Sequence, residues 1–246
     1  MGKWTNNLWT KYGYGHGHGH SHGHGHGHGH GHGHGHGHGH GHGHDDHCPD
    51  PIPCFTPGTS LLTEHGPVLV ENVQQGDRIL TRDSGMQTVI WVGRKDVSAA
   101  DMVNRPALRP VRIARGSLGH DLPNRDMLVS PQHRLLVRGA DLSLQFGESE
   151  MLVPAKALQN RDGISTAAKG VSYIHLLFAR HEVILSDAIW TESFQPATRM
   201  VDAMDRNVKA ELYDLFPDLE ADDCLAFDAA RPSLSARELH HRFEIG

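Results

Sequence analysis

Beyond residue 54 the chain alternates short apolar runs with turn residues, and each run is too short to be a helix. Ser60-Leu-Leu-Thr63, then Glu-His-Gly-Pro, then Val68-Leu-Val70 sets two apolar stretches around a turn-forming break, which predicts a β-hairpin. Gly76-Asp77 opens a further run at 78–81, and another glycine-containing turn precedes one at 89–92. Strands are also predicted at 111–113, 127–129, 135–137, 151–153, 173–178 and 182–185. Many short strands parted by turn signals predict a mainly β domain rather than alternating βαβ units. From about residue 200 the period changes. Val201, Met204, Val208, Leu212 and Leu215 recur at spacings of three and four, predicting an amphipathic helix that ends near Phe216-Pro217. A second helix is predicted over 235–242, with Ser233 or Ser235 as its N-cap. This tail is expected to pack on the β body, and Cys224 within it reads as incidental.

Ahead of the β region the pattern collapses into a Gly-His dipeptide running from Gly15 to His44, with Ser21 the one substitution. A period of two with glycine at every other place can neither hold a helix nor bury a face, so the arm is expected to be disordered. The chain therefore divides into an arm at 1–47, a folded domain at 48–199 with its key cysteine at 54, and a helical extension at 200–246. The stretch Cys48-Pro-Asp-Pro-Ile-Pro53 is a stiff connection, because each proline fixes φ and discourages helix in its predecessor.

The arm distorts the composition. Of 246 residues 37% are hydrophobic, low for a globular chain, yet sixteen of the 23 histidines and sixteen of the 28 glycines precede residue 48. The remainder is long enough to bury a real core. Neutral imidazoles bind zinc, nickel or copper, so His16, His18, His20, His22, His24, His26, His28 and His30 are candidate ligands of low specificity. A solvated spacer with incidental metal binding is the simpler reading. No cofactor is expected for the body. Protonating all 23 histidines would carry the formal charge from −6 to +17. That negative charge lies wholly after residue 47, which disfavours nucleic acid as a partner. No run of eighteen apolar residues exists to span a membrane. The opening MGKWTNNLWTKYGYG lacks the apolar core of a secretory signal, so the expected location is the cytoplasm or export by a leaderless route. Three cysteines, Cys48, Cys54 and Cys224, make no disulfide framework.

Most lone cysteines are small buried hydrophobes. Cys54 is distinguished by its place, where the proline-rich leader ends and the β domain begins. A nucleophile at the first residue of a domain can attack the carbonyl just before it, exchanging the Pro53–Cys54 amide for a thioester. The departing nitrogen then needs a proton. His133, in Val129-Ser-Pro-Gln-His133, leads as donor, with the Ser130 hydroxyl three residues earlier. His181 is the second candidate and His175 the third, while His65, His240 and His241 read as surface residues.

In order along the chain, Cys54-Phe-Thr-Pro-Gly-Thr59, Val73-Gln-Gln-Gly-Asp-Arg-Ile-Leu80, Ser130-Pro-Gln-His133, and Tyr173 with His181 resemble four blocks of the Hedgehog/intein (Hint) superfamily. The resemblance spans about residues 54–194 and is nearest to bacterial Hint-type domains without a complete splicing apparatus. It implies a horseshoe-like, pseudo-two-fold, mostly antiparallel β fold that brings both ends of the domain to the nucleophile. It implies catalytic parts for Cys54, Ser130, His133 and His181, with His133 contacting the scissile amide nitrogen. The departures are specific. The stretch Ile189-Trp-Thr-Glu-Ser-Phe194 has no His-Asn pair, Ser130 replaces threonine, and Ile174 or His175 stands where many relatives have aspartate. The resemblance thus implies self-cleavage without splicing. The substrate is the chain's own N-terminal segment and the acceptor an external thiol, an amine or water. Such a cis reaction turns over once, so its status as an enzyme is a matter of definition. The alternatives are an inactive Hint-fold module and a metal-binding protein acting through its arm.

Overall fold

The alternation at 60–69 produces the expected hairpin, with a tighter turn than the pattern suggested. In the computed structural model β1 (Ser60–Thr63) pairs antiparallel with β2 (Gly66–Leu69), and only Glu64 and His65 lie between them. Gly66 takes a positive φ of 103° that a side chain would resist, and Val70 begins a short 3-10 turn instead of extending the strand. The structure describes residues 52–196, 204, 206–215, 228–234, 238 and 244–245, all within one compact unit. The Gly-His arm, Cys48, Cys224 and nearly all of the second tail helix lie outside the described residues.

Strands β3 (Arg78–Thr81), β6 (Val111–Ile113) and β7 (Met127–Val129) form with the predicted bounds, and β5 (Trp91–Val97), β8 (Arg134–Arg138), β9 (Glu150–Pro154), β11 (Val171–Leu177) and β12 (Val183–Ser186) form with shifted ends. Three more were not apparent in the pattern: β4 (Gly85–Thr88), β10 (Ile164–Thr166) and β13 (Ile189–Glu192). Between β12 and β13 the turn consists of Asp187 and Ala188 alone, both at positive φ, the backbone twist that two-residue hairpins favour.

Strands β8, β13, β12, β1, β3 and β4 follow one another in the largest sheet, with β2 beside β1 and β9 beside β8. Strands β10, β6 and β7 form a second sheet, and β5 with β11 makes a seven-pair antiparallel ribbon. The apolar faces close over two main cores. One gathers Phe55, Leu61, Ile79, Val89, Ile174 and Ile184, and the other Val111, Met127, Leu135, Val153 and Ile189.

Two short helices also form, α1 (Ala99–Asn104) and α2 (Ala140–Phe146). Ser98 caps α1 by accepting from the Asp101 amide, and Gly147 ends α2 in the left-handed region. In the tail, α3 (Arg206–Leu215) forms within the expected helix, whose residues 201–203, 205 and 216–217 lie outside the described residues. The described tail also adds strand character. Residues 232–234 run parallel to β9 at Leu152, β14 (Glu244–Ile245) pairs with β8, and Leu234 and Ile245 join the second core. No described helix is long and apolar enough to cross a membrane.

Candidate functional site

Phe55 pairs in antiparallel fashion with both Val129 and Ile174, although these lie far apart in sequence. Its amide donates to the Ile174 carbonyl at 2.9 Å and the Ile174 amide donates back at 2.9 Å. Antiparallel register then decides the neighbours: if 55 faces 129 and 174, residue 54 faces 130 and 175. One bridging residue thus sets Cys54, Ser130 and His175 side by side, all buried.

Every polar atom of the Pro53–Cys54 peptide bond is held. The Cys54 amide donates to Ser130 Oγ at 2.9 Å, and Ser130 Oγ donates to the Ile52 carbonyl at 2.8 Å. The Ser130 amide donates to the Cys54 carbonyl at 3.0 Å. His175 Nδ1 lies 3.1 Å from the Pro53 carbonyl oxygen, which can only accept, so Nδ1 carries the hydrogen. In the neutral ring Nε2 is then an acceptor, and it lies 3.7 Å from Cys54 Sγ. The thiol itself donates to the Ile52 carbonyl at 2.8 Å. Met102 of α1, Val97 and Tyr173 close the apolar wall around the sulfur, and the Tyr173 hydroxyl donates to the Leu108 carbonyl at 2.7 Å.

Burial governs the protonation of this cluster. It pushes the Cys54 thiol well above 9.0, with the Ser130 hydroxyl the main opposing influence. Burial brings His175 down to about 4, although its bond to the Pro53 oxygen works the other way. His133 is brought to about 3 by burial first, then by the charge of Arg134 and by His175 and His181. At neutral pH all three groups are uncharged. His133 shares a turn with Ser130, whose carbonyl accepts from the His133 amide at 3.0 Å. The His133 ring meets Phe55 edge-on at 4.4 Å, and among the described residues neither of its nitrogens has a hydrogen-bond partner.

His181 belongs to a different set. Its Nδ1 accepts from the Ala230 amide at 3.0 Å, and its Nε2 faces Glu192 Oε2 at 3.3 Å. Glu192, fully buried, also accepts from the Arg134 amide at 2.8 Å and pairs with the Arg134 guanidinium at 3.1 Å. Among the described residues, these contacts tie His181 to the tail and to β13 rather than to the cysteine.

A cysteine set against its own upstream peptide bond, in a mostly antiparallel frame, accompanies a family-model match. Residues 53–198 match the Hint domain, over half of the chain. The chain belongs to the Hint-domain family. Solved structures similar to this Hint domain include a bacterial intein-like domain from Clostridium thermocellum, 13% identical over 58% of this chain and 99% of that one at a TM-score of 0.40. The gp41-1 intein is 10% identical over 58% and 99%, at 0.34. A DnaB intein from Synechocystis is 12% identical over 57% and 98%, at 0.32. No curated protein matches the chain.

Within the Hint domain the structure brings Cys54 and Ser130 into direct contact and sets His133 beside Phe55, but it holds His181 on Glu192. The residue that reaches both sulfur and carbonyl oxygen is His175, ranked third from sequence. Its flanks, Ile174 and Leu176, are as apolar as those of any core histidine, so no local signal raised it. Trp91 and Gly93 were not singled out at all. The indole of Trp91 lies parallel to the His175 ring at 6.4 Å, and Phe194 packs on that ring at 5.4 Å. Gly93 stands opposite His175 in the ribbon, where a Cβ would fall 2.0 Å from the indole. Among the described residues no three His, Cys, Asp or Glu side chains are grouped to hold a metal, and His16 to His30 lie outside them.

Proposed function

We propose that this Hint domain cleaves its own chain at Pro53–Cys54, through attack of Cys54 Sγ on the Pro53 carbonyl and transfer of the acyl group from nitrogen to sulfur. The observation that carries this reading is the clamping of one peptide bond from both ends, its N–H on Ser130 Oγ and its oxygen on His175 Nδ1. Fixing the bond against a neighbouring nucleophile gives a large effective concentration, which favours the intramolecular shift over attack from solution. Ser130 aligns the amide. As the nitrogen becomes an amine it gains a second N–H, and the unpartnered His133 ring, neutral at pH 7, is its acceptor. His181 positions Glu192 and the docked tail behind this cluster.

The thioester then passes to water, an external thiol or an amine, releasing residues 1–53. Without a His-Asn pair at 189–194, ligation of a second segment does not follow. Intact mass spectrometry of the purified full chain, with and without dithiothreitol or hydroxylamine, tests this reading. A fragment starting at Cys54, accelerated by those nucleophiles and absent in Cys54→Ala, is the expected result. A folded chain that stays whole under both reagents, or cleavage that persists in Cys54→Ala, overturns it in favour of an inactive Hint module. The released piece carries fifteen alternating imidazoles, a composition that favours loose binding of zinc, nickel or copper. Deleting 15–44 is expected to remove the metal bound per chain, measured by atomic emission after dialysis.

A further inference from the structure

We propose that His175 is the acid–base and oxyanion group of this site, with Nε2 taking the Cys54 thiol proton while Nδ1–H holds the charge that develops on the Pro53 oxygen. The inference rests on the acyl-shift reading above and adds the group that moves the proton. The geometry is unusual in that one five-membered ring touches both atoms whose charge must change, the sulfur at 3.7 Å and the oxygen at 3.1 Å. The obligate acceptor at Pro53 sets the tautomer, and the tautomer leaves a lone pair on the nitrogen facing sulfur. Trp91 and Phe194 pack on the ring, so it keeps both contacts through the reaction.

The step balances without any other group. Rotation about Cβ–Sγ turns the S–H from the Ile52 carbonyl toward Nε2. The proton moves to Nε2, the sulfur–carbon bond to Pro53 forms, and the carbonyl π pair moves onto oxygen. That oxyanion lies against an imidazolium instead of a neutral ring, so the two new charges compensate each other in a buried site. When the carbon–nitrogen bond breaks, the Nε2 proton passes to the Cys54 nitrogen, giving an amine, a thioester and the original neutral tautomer. The thiol is a far weaker acid than this imidazolium, so proton transfer runs together with carbon–sulfur bond formation and free thiolate does not accumulate. His133 does not share this geometry, since its nitrogens lack partners on either reacting atom. Among titratable groups, Glu192 and Lys95 act on the sulfur and Lys95 also on His175, while Cys54 in turn acts on Tyr173 and His175 on His133.

The test uses the full chain. Hydroxylamine-induced release of the fragment from Cys54 is timed at pH 7 for the parent, His175→Gln, His175→Ala and Cys54→Ala, each checked for folding by circular dichroism. His175→Gln is expected to slow release by about 100-fold or more, the usual weight of a positioned acid–base group, and added imidazole to restore part of the rate in His175→Ala. Release from a folded His175→Gln within about threefold of the parent, with Cys54→Ala inert, overturns the role of His175 and leaves the acyl shift standing. No release from the folded parent overturns both. A second measurement does not depend on the His175 variants folding. In Cys54→Ala, where His175 is intact, two-bond nitrogen–proton correlation NMR is expected to show the Nδ1–H tautomer, and an Nε2–H ring overturns the proposal.

Discussion

Two buried polar clusters lie within this Hint domain, and they are built on opposite electrostatic plans. Cys54, Ser130 and His175 are uncharged at neutral pH and bond to the backbone at 52–54. Glu192, Arg134 and His181 are joined through a buried carboxylate, and bond instead to the start of β8 and to Ala230 in the tail. The first cluster leaves proton positions open, with a lone pair at Nε2 and a thiol still protonated. The second gathers two nitrogen-bearing side chains around one carboxylate. Burial explains both outcomes, because an ion in the interior survives only where a partner and hydrogen bonds surround it. The acyl shift proposed above starts from the neutral cluster, whereas the ion-paired one fastens the described tail at Ala230.

The largest expected effect comes from removing the sulfur. Cys54→Ala should abolish hydroxylamine-sensitive cleavage completely while the fold survives, as read by mass spectrometry and circular dichroism. Breaking the charged cluster should do the reverse, acting on stability. Glu192→Ala leaves the Arg134 guanidinium without its buried partner and should lower the unfolding free energy by about 3–5 kcal/mol in urea titration. Acid should separate the clusters next. His133 and His175 have folded values of about 3 and about 4 against 6.5 unfolded, so the unfolded chain binds more protons as pH falls. Their contribution is fully present above pH 6.5 and is lost as pH drops toward those folded values, about 3 kcal/mol per ring by pH 4. His133→Phe should flatten that slope, and an unchanged slope in the folded variant would count against a buried neutral ring.

The smallest effect concerns a second buried carboxylate. Asp187 accepts from the Ser60 amide at 3.0 Å and faces the half-exposed Arg125 at 3.4 Å, but among the described residues one of its oxygens has no partner. Burial raises it from 3.8 to about 6, so the folded state binds the extra proton and stability falls as pH rises across that window. Asp187→Asn removes the penalty, and asparagine tolerates the φ of 47° there. The melting temperature should rise by about 2–4 °C at pH 7 and change little near pH 4.

Much of the frame could be read along the chain. Runs such as Arg78–Thr81 and Met127–Val129 announced themselves because alternating burial imposes a period of two on neighbouring residues. Strands β4 and β10 escaped because Met86, Gln87, Ser165 and Thr166 are not fully buried and carry little apolar signal. Helices α1 and α2 span too few turns to show a helical period, although Ser98 and Asp101 at the right spacing mark the first.

The sequence by itself determined a mainly β domain with a cysteine at its threshold, since strand period, turn chemistry and a nucleophile after a proline leader are local properties of the chain, and its four motif blocks carried the resemblance to the Hint family. Only the tertiary structure decided which histidine meets that cysteine. Phe55 bridges Val129 and Ile174, so the register selects His175, while β13 and the docked tail take His181 for Glu192 and Ala230. Pairing between residues more than a hundred positions apart depends on sheet closure, and a one-residue slip would turn His175 to the opposite face.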